Sequence, residues 1–153
     1  MQLSKNLSLS EVVKSQTAVR LGIDNEPTVA HLIALKAVAN NIFQPLRDHF
    51  GVPIAVTSGY RSEELNNAIG GSSRSQHSLG EALDLDDDVF GGVTNADLFH
   101  YIKDHLTFDQ LIWEFSGESG PAWVHCSYRD GDNRGEVLVA YKDKGRTKYK
   151  HYK

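Results

Sequence analysis

The sequence predicts an α+β domain, and three observations carry that prediction. Apolar residues Val29, Leu32, Ile33, Leu35, Val38, Ile42, Phe43 and Leu46 recur at helical spacing, and a second amphipathic run carries Leu98, Tyr101, Ile102 and Leu106. Short segments at residues 53–57, 81–86, 109–114, 123–128 and 136–141 have strand character instead. The loop Ser116-Gly117-Glu118-Ser119-Gly120-Pro121 reads as a hairpin joining two of those segments directly.

At 153 residues the chain is one domain by size, long enough to bury a core. Its 40% hydrophobic and 24% charged content is that of an ordinary globular protein. A formal charge of −4 argues neither for nor against nucleic acid. The lone cysteine, Cys126, excludes an internal disulfide, so no oxidising compartment is implied. Residues 1–6 lack the apolar run of a secretory signal, and no segment is long and apolar enough to span a membrane.

In chain order, Ser8-Leu9-Ser10-Glu11 is a capping box that opens a short helix, followed by a polar loop through Gly22-Ile23-Asp24-Asn25. Pro27 suits the first turn of the main packing helix, Pro45 should kink or divide it, and Gly51 ends it. His31 and His49 within it read as structural or solvated. The strand Pro53-Ile54-Ala55-Val56-Thr57 delivers Ser58-Gly59-Tyr60-Arg61, and Ser62 caps a helix through Ala68. Gly70-Gly71-Ser72-Ser73-Arg74 is a flexible loop, either a linker or a lid. If residues 81–86 are extended, Leu83 and Leu85 face the core while Ala82, Asp84 and Asp86 share the other face. The run Asp86-Asp87-Asp88 reads as solvated, turn-forming charge, with a second cation site as the alternative. Thr94-Asn95-Ala96-Asp97 starts the second helix, on which His100 and His105 are exposed.

Alternation continues to sort side chains in the later strands. Gln110, Ile112 and Glu114 share one face. Trp123, His125 and Ser127 point one way while Val124, Cys126 and Tyr128 point the other, so Cys126 belongs to the core although it adjoins His125. Residues 129–135 form a turn, and 136–141 an edge-like strand. The lysine-dense tail 142–153 is expected to fray, either simply solvated or holding the protein near an anionic surface.

The stretch on which the chain is organised is Ser75-Gln76-His77-Ser78-Leu79-Gly80-Glu81-Ala82-Leu83-Asp84. A turn ending at His77 and a strand carrying Asp84 would bring an imidazole and a carboxylate to one point, and His125 adds a second imidazole. Two histidines, one aspartate and an open fourth position make a catalytic zinc site, since zinc accepts mixed nitrogen and oxygen ligands. Taken singly, His77 could cap a loop and Asp84 could be surface charge; the constellation favours the metal.

The pattern Ser-x-His-x-x-Gly-x-x-x-Asp, with Ser58-Gly59-Tyr60-Arg61 upstream and Trp123-Val124-His125 downstream, closely resembles the M15 zinc peptidases from about Asn6 to Tyr141. That family includes D-Ala-D-Ala carboxypeptidases and dipeptidases and several phage endolysins. The resemblance implies the hedgehog/DD-peptidase fold, a small mainly antiparallel sheet packed against helices. It implies one Zn2+ per chain held by His77, Asp84 and His125, and hydrolysis of peptide bonds in peptidoglycan stems. Arg61 matches the family arginine that contacts the substrate carbonyl or carboxylate; the alternative is a salt bridge to Glu63 or Glu64. Ser75 matches the serine beside the first ligand.

Many relatives place the catalytic carboxylate three residues before the second histidine, where this chain has Ala122. Glu114, ending the neighbouring strand, is the best replacement, with Glu118 in the mobile loop as the alternative and Gln110 a further substrate contact on the Glu114 face. The expected partner is the peptidoglycan peptide, with no nucleic acid, no membrane insertion and a monomeric state. With no signal peptide, such an enzyme reaches the wall after release, by lysis or within a virion. The departure at Ala122 keeps a second class open, a non-catalytic zinc-stabilised binding or virion structural module.

Overall fold

The computed structural model describes residues 1–153. A small hairpin, β1 (Gln2–Ser4) and β2 (Leu7–Ser8), leads into α1 (Leu9–Val13). Ser8 and Glu11 close the capping box, the Ser8 backbone N–H donating to the Glu11 carboxylate at 2.7 Å. A further helix, α2 (Gln16–Leu21), precedes the polar loop and ends at Gly22 in the left-handed region.

The main packing helix starts later than Pro27 suggests. Thr28 is the cap of α3 (Val29–Val38), its hydroxyl accepting from the His31 N–H at 3.3 Å, so Pro27 lies outside the first turn. A π-helical segment, Ala39–Phe43, then separates α3 from α4 (Gln44–Phe50). Pro45 sits in the first turn of α4. Its ring cannot follow an unbroken α-helix, because it lacks an N–H and crowds the preceding turn, and the wider π turn absorbs the mismatch. The helix is divided into α3 and α4 by that segment.

The remaining elements are β3 (Val56–Ser58), α5 (Glu63–Ala68), a 3₁₀ turn at Gln76–Leu79, β4 (Ala82–Leu85), a 3₁₀ turn at Asp87–Val89, α6 (Asn95–His105), β5 (Gln110–Gly117), β6 (Gly120–Ser127), β7 (Glu136–Asp143) and β8 (Arg146–His151). The strands form one sheet in the order β3-β4-β6-β5-β7-β8, antiparallel throughout except for the parallel pair β5 and β7. The architecture is the expected α+β one, mainly antiparallel.

Two expectations about the C-terminal part are corrected. β7 is an interior strand, paired with β5 on one side and β8 on the other. The tail is not frayed through residues 146–151: it pairs with β7 from Asp143↔Arg146 to Leu138↔His151. Just beyond, the Tyr152 ring packs 4.9 Å from Phe99, anchoring the end of the chain on α6. The acidic run is also only partly as expected. Asp86 accepts from the Asp88 N–H and from Asn95, which is turn formation, but Asp87 is fully buried and accepts from the Val93 N–H at 2.7 Å.

The core lies between the helices and one face of the sheet. Leu35, Val38, Ile42, Phe43 and Leu46 meet Leu98, Phe99 and Ile102 over Leu83, Leu85, Leu111, Val124 and Cys126. Each fully buried leucine contributes about 1.5–3 kcal/mol of burial, so this face pins the strand register. A one-residue slip of β4 or β6 would drive Asp84 or His125 into the core and Leu83 or Val124 out of it. The opposite face is thereby free for polar chemistry.

Candidate metal centre and active-site cleft

Three elements deliver three donors to that free face. His77 comes from the 3₁₀ turn, Asp84 from β4 and His125 from β6, where Asp84 and His125 are direct cross-strand partners. Their ligand atoms all lie within 4.8 Å of one another. The turn holding His77 is built locally. The Ser75 hydroxyl accepts from the His77 N–H at 3.2 Å, and Gln76 donates to Glu81 and to buried Asp109. Gly80 closes the turn at φ 76°, and a Cβ there would sit 2.8 Å from the His31 carbonyl oxygen. That is the physical reason for glycine between the first two donors.

His77 is held from behind. His77 Nδ1 lies 2.7 Å from the Gly59 carbonyl oxygen, which can only accept, so Nδ1 carries the proton and Nε2 turns its lone pair toward Asp84 at 3.3 Å. His125 approaches the same Asp84 oxygen through Nδ1 at 3.1 Å, while its Nε2 is buried without a protein partner. Burial opposes ionisation of Asp84, yet when the two imidazoles carry protons in place of a metal ion, the charges and hydrogen bonds of His77 and His125 hold its carboxyl well below the usual carboxylate range.

This donor set fits zinc. A tetrahedral ion with bonds of about 2.0–2.1 Å separates its ligand atoms by about 3.3 Å, which the two nitrogen-to-carboxylate spacings of 3.3 and 3.1 Å approach. A cation also reconciles a carboxylate with an imidazole lone pair aimed at it, which two unshared electron pairs would not do alone.

Glu114 stands beside this group. It pairs with Trp123 across β5 and β6, as Ile112 pairs with His125, so Glu114 and His125 are diagonal neighbours at about 7 Å between Cβ atoms. The residue is only 7% exposed. Burial pushes its carboxyl up to about 7; His125 opposes the shift and Asp84 adds to it. Glu118, by contrast, is exposed at the tip of the β5–β6 hairpin and does not line the cleft. Ala122 is exposed, its carbonyl accepting from Asn95.

The cleft over the donors measures about 700 Å³. Arg61 lines it and forms no salt bridge to Glu63 or Glu64. Its Nε is buried without a partner, its backbone N–H donates to the His77 carbonyl, and burial lowers its pKa while Asp84 partly restores it. Ser75 and Gln110 line the cleft too, though each is already engaged, Gln110 donating to Glu136 at 2.8 Å. Cys126 is fully buried in the core, on the other side of the sheet from the donors.

Several cleft residues are new relative to the sequence reading. Phe115 breaks strand parity with φ 54°, which sets its ring 5.4 Å from Trp123 on the cleft side. Arg134 reaches the rim, held by buried Asp109 through Nε and a terminal nitrogen. Thr147 and Tyr149 of β8 form the far wall. The signal for those two was present, since they lie two residues apart in an alternating segment, but reading the tail as frayed hid it.

An α+β frame presenting a His–Asp–His donor group on the exposed face of its sheet is the arrangement of a zinc peptidase. The chain belongs to the peptidase M15 family, whose sequence profile matches residues 5–127. M15 peptidases are zinc-dependent, and the match takes in all three donors, Arg61 and Glu114. No curated protein matches the chain.

Proposed function

We propose that the protein is a zinc-dependent peptidase of peptidoglycan stem peptides, a D-Ala-D-Ala carboxypeptidase or an endolysin-like cell-wall endopeptidase. His77, Asp84 and His125 hold the ion. The observation that carries catalysis, beyond metal binding, is Glu114: a buried carboxyl beside the donors with a pKa of about 7, where a base can both take and return a proton near neutrality.

A zinc ion held by His77, Asp84 and His125 would supply polarisation of the scissile carbonyl and a lowered pKa for the attacking water. The chain's own groups do the rest. Glu114 takes the water proton and passes it to the leaving amine, so its burial serves both halves of the transfer. Arg61 offers a fixed guanidinium, free of any carboxylate partner, to the substrate carbonyl or a terminal carboxylate. Ser75 and Gln110 contact the peptide from the cleft wall. Phe115 and Trp123 exclude water beside Glu114. The peptidoglycan substrate rests on the family resemblance, supported by a cleft of about 700 Å³ over the donors that presents a cationic Arg61.

Digestion of purified peptidoglycan with the zinc-loaded protein, read by mass spectrometry of the fragments, tests the proposal. New stem-peptide termini that require zinc are expected, and their masses identify the bond. A zinc-replete protein that releases no fragment refutes it in favour of a non-catalytic zinc module.

A further inference from the structure

The family match ends at residue 127, yet the cleft does not. β8 supplies its far wall through Thr147 and Tyr149. Register explains how a C-terminal strand reaches the site. Glu114 is paired with Ala140 across β5 and β7, and Ala140 with Tyr149 across β7 and β8. These three residues therefore form one lateral row on the donor face, continued on the other side by Trp123. Ala140, the small member between the two large ones, is fully buried. Two strand spacings of about 4.8 Å separate the Glu114 and Tyr149 backbones, a gap that a tyrosine side chain leaning along the row can bridge for a bound peptide.

We propose that Tyr149 is a substrate-contact residue of the peptidase: its ring forms the wall of the cleft opposite Arg61, and its phenol hydroxyl donates a hydrogen bond to a backbone carbonyl of the bound peptide. Three further observations support this. The hydroxyl has no partner within the protein's own hydrogen bonds, and the side chain is half exposed where it lines the cleft, so its donor is available to a bound peptide. The phenol is kept protonated, since burial raises its pKa and the charges of Glu114 and Asp84 add to the shift, so it acts as a donor and not as a base. Arg61 follows β3 and Tyr149 lies on β8, at opposite edges of the sheet, with the metal donors and Glu114 between them. A peptide held at both ends would cross the strands with its scissile bond over the centre. Trp123 lines the cleft from the β6 side of Glu114, with Phe115 packed 5.4 Å from its ring, so Glu114 lies between that aromatic pair and Tyr149.

This inference rests on the peptidase reading, and the test separates the two. Binding of a synthetic stem pentapeptide ending in D-Ala-D-Ala is measured by calorimetry on zinc-loaded Glu114→Gln, with and without Tyr149→Phe; hydrolysis of a muropeptide mixture is measured on wild type, Tyr149→Phe and Tyr149→Ala. Loss of one neutral hydrogen bond should weaken binding and lower kcat/KM about 3–10-fold in Tyr149→Phe, chiefly through KM, and Tyr149→Ala should lose more as the wall is removed. Zinc content should equal that of wild type in every variant. Peptide affinity and kcat/KM unchanged in both Tyr149 variants overturn the inference while leaving the peptidase intact. A wild type that binds the peptide in a Tyr149-dependent way without cleaving it upholds the contact and removes the peptidase reading. Failure of the peptide to bind at all overturns the contact.

Discussion

Replacing Glu114 by glutamine keeps the side chain's size and one hydrogen-bonding oxygen but removes the proton acceptor. General-base catalysis is worth about 10²–10⁴-fold, so stem-peptide cleavage should fall by that factor at saturating substrate. Zinc content should not change, because Glu114 is not among the clustered donors. Stability supplies a second, independent readout in the metal-free protein. The Glu114 carboxyl lies at about 7 in the folded chain against an ordinary value of 4.5, so the folded state binds this proton more tightly than the unfolded state does. Below pH 4.5 both states are protonated and the residue costs nothing. Between 4.5 and 7 the unfolded chain loses the proton first and stability falls, by about 1.4 kcal/mol per pH unit. Above 7 the full cost of burying the charge, about 3 kcal/mol, is present. Glutamine never ionises. The stability difference between Glu114→Gln and wild type should therefore rise from near zero at pH 4 toward about 3 kcal/mol in favour of the variant at pH 8. Urea unfolding of both proteins across that range, after chelation, measures it. A variant that cleaves at the wild-type rate refutes the base assignment, and a stability difference flat in pH refutes the buried carboxyl.

Other substitutions test the frame around this residue. His125→Ala should lose stoichiometric zinc and the metal's contribution to stability, read by elemental analysis and by melting with and without chelator; full zinc occupancy in the variant would falsify the ligand set. Cys126→Ser should keep zinc and activity and lose only about 1–3 kcal/mol for burying a hydroxyl in the core, whereas zinc loss from the folded variant means that β6 is out of register. Gly80→Ala forces a side chain into left-handed backbone and to 2.8 Å from the His31 carbonyl oxygen, so about 1–3 kcal/mol of stability and some zinc affinity should go together. A Gly80→Ala protein that melts and binds zinc like wild type shows that the turn before β4 is more pliable than its geometry implies.

What the sequence by itself determined were the features set by local chemistry. Period-2 alternation, with Leu83, Leu85, Val124 and Cys126 on one side, is enough to turn Asp84 and His125 to the other, because each strand residue's face depends only on its neighbours. The caps at Ser8 and Ser62 and the glycine after His77 are local in the same sense. Local rules placed Pro27 inside the helix, whereas it lies two residues before the first helical position because Thr28 is the better cap.

Only the tertiary structure decided which of those outward residues meet. Asp84 and His125 are 41 residues apart and become partners through β4–β6 pairing, which no short window contains. Glu114 and Glu118 are four residues apart and equally acidic, yet one is buried beside the donors and the other stands at a hairpin tip, a difference set by where β5 ends. The tail makes the same point most sharply. Arg146-Thr147-Lys148-Tyr149-Lys150-His151 carries too much charge to predict its own order, and it becomes a strand because β7 offers a free edge and Tyr152 finds an aromatic seat on Phe99. Order that comes from a partner's surface is not written in the segment that acquires it.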